Sequence, residues 1–229
     1  MDDRAHAYFT ANRTRLLAEW FDLLRIPSVG TDAAALPHCA RAAAWLKRWL
    51  KRTGFDSEVL LPPGGRPVVW AERMGAPGAP TALFYGHYDV QPADPVEAWT
   101  TPPFEPACID ERVYARGAQD NKGQFFAFLQ GVAARLDAGL PLPTLRVLLE
   151  GEEESGSPSL LAAAHTWRKR LAADVLLVCD TGVHPCGRPA ITAGLRGVQS
   201  LTVTLRGPAH DLHSGTHGGL APNPARGMA

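Results

Sequence analysis

Apolar residues recur at helical spacing in several stretches of this sequence and as short unbroken runs in others. Over residues 6–25 they place Leu16, Leu17, Trp20, Phe21 and Leu24 on one face, which predicts an amphipathic helix ended by "RIPSVGT". A second helix is predicted from about Pro37 to Thr53, with Ala42, Leu46, Trp49 and Leu50 inward and Gly54 as its C-terminal cap. The runs "SEVLL", "VVWAERM" and "TALFYGH" then read as strands, separated by the breakers "PPGG" and "GAPGAP". Residues 121–138 return to helical spacing through Phe125, Phe128, Leu129, Val132 and Leu136. "TLRVLLE" is the next strand, Ser157 and Pro158 open a helix over 158–170, and "DVLLVCD" is a further strand. Strands alternating with helices predict an α/β fold of three layers, a mostly parallel sheet flanked by helices.

The pattern changes near Gly197. In "VQSLTVTLRG", Leu201, Val203 and Leu205 alternate with Thr202 and Thr204, which predicts an antiparallel strand with one wet face and hence a second unit. The division expected is therefore residues 1–196 and 197–229. A unit of about thirty residues is too small to close its own core, so the sequence reads as cut short.

Composition narrows the function classes. The chain has 229 residues, with 23 Lys plus Arg against 23 Asp plus Glu, a balance that points to neither nucleic acid nor an acidic membrane surface. No apolar run approaches the ~20 residues of a membrane span, and "MDDRAHAYFTANRTR" lacks the apolar core of a signal peptide. A cytoplasmic location is the expectation. Cys39, Cys108, Cys179 and Cys186 form no Cys-x-x-Cys pair, which predicts buried, reduced thiols rather than a thiolate metal site.

The chemistry sits where apolar strands end. "VLLEGEEESGSPSL" runs from a buried strand straight into Glu152, Glu153 and Glu154. In "LFYGHYDVQP", His87 follows a strand, Gly86 permits close backbone approach, and Asp89 falls two residues on, where it can orient the imidazole. Asp120 in "YARGAQDNKGQ" stands at a helix start, and taken alone it reads as a cap. Asp180 in "VLLVCDTG" ends another strand, where a turn-forming Asp is the plain alternative. In open α/β sheets ligands collect beyond the carboxyl ends of the strands. Carboxylates crowded there repel one another, and divalent cations relieve that conflict. A set of imidazole and carboxylate donors without thiolate suits Zn²⁺ first and Mn²⁺ or Co²⁺ next. No Gly-rich phosphate loop or arginine cluster accompanies them, which argues against phosphate-ester chemistry.

"GHYDVQP", "RGAQDNKG", "EGEEESGS" and "CDTG", in that order, resemble the motifs of the two-zinc aminoacyl-dipeptidase family, with its carnosine dipeptidases, glutamate carboxypeptidases, aminoacylases and desuccinylases. The dipeptidase branch is the most similar. The resemblance implies hydrolysis of a small peptide by a zinc-activated water, with His87 and Asp180 on one zinc, Glu154 on the other and Asp120 bridging the two. It further implies Glu153 as general base, Asp89 supporting His87, and a cis peptide at Asp120–Asn121. Glu152 has no implied role and reads as exposed. In "HDLHSGTHGG", His213 resembles the histidine that reaches across a homodimer to stabilise the oxyanion, in what would be the start of a lid or dimerisation domain. Relatives are roughly twice as long, and their second half brings a last metal histidine and finishes the sheet. The resemblance therefore implies an N-terminal part with an exposed sheet edge and apolar patch, weakly active or inactive by itself. Two alternatives share the site: an N-acyl-amino-acid amidohydrolase or desuccinylase, and a fragment that binds metal without turnover.

Overall fold

The computed structural model describes residues 3–183, 186–188 and 190–228, in two compact units that divide after Gly182. The first unit opens with helices α1 (Asp3–Leu24) and α2 (Leu36–Arg52) and strands β1 (Asp56–Leu60), β2 (Val68–Arg73) and β3 (Thr81–His87). It continues with β4 (Ala107–Ile109), β5 (Arg112–Tyr114), α3 (Lys122–Asp137), β6 (Thr144–Glu150), α4 (Pro158–Ala164), α5 (Arg168–Leu171) and β7 (Val175–Val178). Gly54 follows α2 at φ 87°, the left-handed conformation that lets a chain leave a helix, as its position predicts.

Five strands form one sheet in the order β1-β2-β6-β3-β7. β3 runs parallel to both β6 and β7, and β2 is antiparallel to β1 and β6. Side chains alternate across it. Val69, Ala71, Phe84, Val147 and Leu149 face a core shared with α1, α2 and α3, in which Leu23, Leu46, Leu50, Phe125 and Leu129 are buried. Phe84 stacks on Phe128 with ring centroids 3.9 Å apart, a pairing that adds about 0.5–1.5 kcal/mol beyond the area it buries. Val68, Trp70, Leu83 and Leu148 point the other way, under Leu160, Trp167 and Leu171 of the α4–α5 segment. This is the expected three-layer α/β arrangement.

The register decides where chemistry can occur. His87 lies opposite Glu150, and Tyr85 opposite Val178, so β3, β6 and β7 end side by side. The segments that follow them, Tyr88 onward, Gly151 onward and Cys179 onward, leave the sheet at one edge. At the lateral edge of the sheet, the residues of β7 stay open to solvent, Leu176 at 61 %. Among the described residues no helix is long and apolar enough to cross a membrane.

The structure corrects the sequence expectations at several points. The β4–β5 hairpin was not expected; its turn is made by Asp110 and Glu111 at φ 49° and 62°, positions where Asn-Gly is the usual signal. The helix expected over 158–170 breaks at His165–Trp167, where Trp167 turns into the second core. Ser157 does not cap it: its hydroxyl donates to Glu150 (2.7 Å) instead. Among its described residues the second unit holds two short helices, α6 (Ser214–His217) and α7 (Pro224–Met228). The strand expected in "VQSLTVTLRG" does not form. A strand needs a partner for its backbone groups, and here the segment is exposed, with Leu201 at 81 %.

The cysteines also depart from expectation, since Cys108 and Cys186 are exposed, Cys179 is half-buried and only Cys39 is fully enclosed. Burial pushes the Cys39 thiol up to about 11. At pH 8 Cys39 is therefore expected to react with iodoacetamide about two orders of magnitude more slowly than an exposed thiol of ordinary pKa. Peptide mass mapping over time checks this; equal labelling of Cys39 and Cys108 would contradict the packing of α2.

Candidate metal centre

His87 closes β3 with its ring fully buried. Its Nδ1 lies 3.1 Å from the carbonyl oxygen of Asp89 and 3.3 Å from that residue's carboxylate. With Nδ1 turned to Asp89, Nε2 is the ring nitrogen left to face the carboxylates beyond the strand end. Those are Asp120 at 3.1 Å, Asp180 at 3.5 Å and Glu153 at 3.9 Å.

Each group arrives by a local device. A Cβ on Gly86 would come within 2.9 Å of Asn121 Oδ1 and 3.0 Å of Phe125 Cβ, so a glycine there lets the start of α3 settle on the end of β3. That contact carries Asp120 in, across an Asp120–Asn121 peptide that is cis, as the resemblance implied. Asp89 is fully buried, and its two carboxylate oxygens accept the N–H groups of Glu153 (3.3 Å) and Glu154 (3.1 Å). One side chain thus holds both the histidine and the single 3₁₀ turn, Glu153–Ser155, that follows β6.

His87, Asp120 and Glu154 each offer a donor atom, and the three atoms lie within 4.8 Å of one another. Asp180 and Glu153 approach His87 without joining that set. Glu154 also accepts a hydrogen bond from the Gln91 amide (2.7 Å), and Asp180 from Asn121 (3.2 Å). Among the described residues the partners of these carboxylates are amides and His87, not lysine or arginine. Burial raises the carboxyl groups of Glu153 and Glu154, and neighbouring carboxylates raise them further. Burial would lower His87, but its bond to Asp89 and the charges of Asp89, Asp180 and Glu153 prevail and raise it to about 9. The pocket therefore carries uncompensated negative charge against imidazole nitrogen and carboxylate oxygen. A divalent ion of the zinc, manganese or cobalt type fits that donor set.

Residues 83–216, more than half of the chain, match peptidase family M20/M25/M40. The chain belongs to that family. A Cys-Gly metallodipeptidase of Schizosaccharomyces pombe is 32% identical over 216 residues, 87% of this chain and 44% of that protein. A human Beta-Ala-His dipeptidase is 37% identical over 162 residues, 69% of this chain and 32% of its own length. The crystal structure of human carnosine dipeptidase 1 superposes on all of this chain and 51% of its own, with a TM-score of 0.78 at 26% identity. The chain thus spans about half the length of its relatives or less. Membership in this M20/M25/M40 peptidase family implies a divalent metal, in keeping with the donors gathered at the strand ends.

His213 belongs to the second unit, where its Nδ1 accepts the N–H of Gly215 (3.1 Å) and opens α6. The expectation of an exposed Glu152 is wrong, because the residue is 9 % exposed and its carboxylate is held by backbone N–H groups. Asn121 entered the sequence reading only through its peptide bond with Asp120, and the role of its side chain was not expected. It is fully buried, accepts the His87 N–H (3.2 Å) and donates to the carbonyl of Cys179 (2.7 Å), joining β3, α3 and the end of β7. Its place directly after Asp120, at the head of a helix, was the available signal.

Proposed function

We propose that this protein hydrolyses the amide bond of dipeptide-sized substrates in a metal-dependent reaction centred on the strand-end cluster. The observation that carries the reading is the convergence of His87, Asp120 and Glu154 donor atoms beyond the ends of β3 and β6. His87 and Asp180 would hold one divalent ion and Glu154 the other, with Asp120 shared and zinc the first choice of metal. When bound, such ions supply Lewis acidity, polarising the scissile carbonyl and acidifying water. The chain's own residues do the rest. Asp89 fixes the tautomer and direction of His87. Glu153 takes the proton of the attacking water and hands it to the departing amine. His213, reaching across a homodimer, donates to the developing oxyanion. Residues 1–196 form the catalytic domain and 197–229 begin the lid or dimerisation domain.

The dipeptidase names of the relatives point to Cys-Gly and β-Ala-His as first substrates to try, with N-acyl amino acids as the contrast. Protein stripped with a chelator and reconstituted with Zn²⁺, Mn²⁺ or Co²⁺ is expected to bind two ions per chain and to cleave a dipeptide only when reconstituted, at full rate only where the second half that its relatives carry is also supplied. Turnover that survives metal removal would overturn the reading. Two bound ions with no acceleration of any dipeptide would leave a metal-binding fragment and refute catalysis by this chain.

A further inference from the structure

Glu152 is the one glutamate of its run with no part in the proposed chemistry, yet it is the most enclosed of the three, with Glu153 and Glu154 only half-buried. Its carboxylate does not face the metal centre. Oε1 accepts the N–H of Arg66 (3.2 Å) in the loop between β1 and β2, and Oε2 accepts the N–H of Ser159 (3.2 Å) in the first turn of α4. It thereby does the capping that Ser157, turned toward Glu150, does not. The Glu152 carbonyl oxygen accepts the N–H groups of Ser155 (3.1 Å) and Ser157 (2.9 Å).

What Glu152 grips is itself immobilised. A Cβ on Gly65 would overlap Ser159, so the β1–β2 loop lies directly against α4. The Arg66 guanidinium donates to the Gly30 carbonyl through Nε (3.0 Å) and Nη2 (2.7 Å), anchoring the loop to the segment after α1. The 3₁₀ turn carrying Glu153 and Glu154 is only three residues long and has little of its own to hold it. Asp89 secures it from the His87 side, and Glu152 secures the opposite side.

We infer that Glu152 is a positioning residue, a carboxylate staple that joins the β1–β2 loop to the start of α4 and so sets where Glu153 and Glu154 stand. The inference rests on the roles proposed for those two glutamates. Without the carboxylate, two N–H groups in a partly buried seam lose their acceptor and the turn loses one of its anchors. A displacement of about 1 Å at such a group is enough to cost on the order of 10²-fold in rate.

The test is a Zn²⁺ or Co²⁺ titration of the full chain, with thermal unfolding of the metal-free protein and dipeptide hydrolysis measured alongside. Glu152→Ala is expected to weaken ion binding about 10–100-fold, as loss of an outer-shell partner does, and to lower kcat with KM nearly unchanged. Glu152→Gln, whose amide oxygen can accept one of the two N–H groups, is expected to fall between Ala and the unmutated protein. A role confined to folding would lower the unfolding temperature and leave metal affinity intact, and that result would overturn the inference. So would equal affinities in the Gln and Ala variants. If the unmutated protein bound no divalent ion, the site assignment itself would fall and this inference with it.

Discussion

Glu153→Gln is expected to keep both metal ions and to lose dipeptide hydrolysis by about 10²–10⁴-fold. The substitution conserves shape and removes the ability to take a proton, so it separates a base from a ligand. Three consecutive glutamates give the sequence no way to choose between these roles. The arrangement in the fold supports one assignment. Glu154 contributes a donor atom to the His87–Asp120 set and is steadied by Gln91, whereas Glu153 stands outside that set, 3.9 Å from His87. Its side chain is 38 % exposed, open enough to meet a substrate and close enough to reach a water held at the centre. Metal analysis and steady-state kinetics on the same preparation decide the matter. Loss of an ion with Glu153→Gln would make Glu153 a ligand, and unchanged turnover would remove it from the chemistry.

The long elements were legible because periodicity and burial coincide in them. The α3 residues Phe125, Leu129 and Val132 recur at helical spacing, and the fold buries them together against the sheet. His87, Glu154 and Asp180 follow apolar strands closely, and the parallel pairing of β3 with β6 and β7 brings those strand ends side by side, whereas Asp120 comes in separately at the head of α3. What stayed hidden depends on partners that are distant in the chain. Glu152 looks like its neighbours until Arg66 and Ser159 close around it. Asn121 becomes a keystone only because β3 and β7 end on either side of it. The β4–β5 hairpin carries no Asn-Gly signal, and "LTVTL" has strand alternation with no strand beside it among the described residues. Local pattern proposes an element, and a partner decides whether it forms.

Asp120→Ala is expected to release both ions, whereas Glu154→Ala is expected to release one. The contrast follows from the sharing assigned to Asp120, since removing a shared carboxylate takes a donor from each ion at once. In the structure its carboxylate lies 3.1 Å from His87 Nε2, in the set whose donor atoms are all within 4.8 Å of one another. Removing it should cost far more than the ~10–100-fold in affinity that an outer-shell partner contributes. The fold should hardly notice, because the Asp120 side chain is 65 % exposed and substitutions at such positions usually change stability by less than about 0.5 kcal/mol. The two effects separate in one experiment. Metal-free Asp120→Ala protein should unfold near the temperature of the metal-free parent, while the rise that added Zn²⁺ gives the parent should vanish, because a ligand stabilises only the state that binds it. One ion retained at full occupancy would show that Asp120 serves a single metal. Both retained would place the centre elsewhere along the strand ends, with Asp120 returned to the plain role of a residue at a helix start.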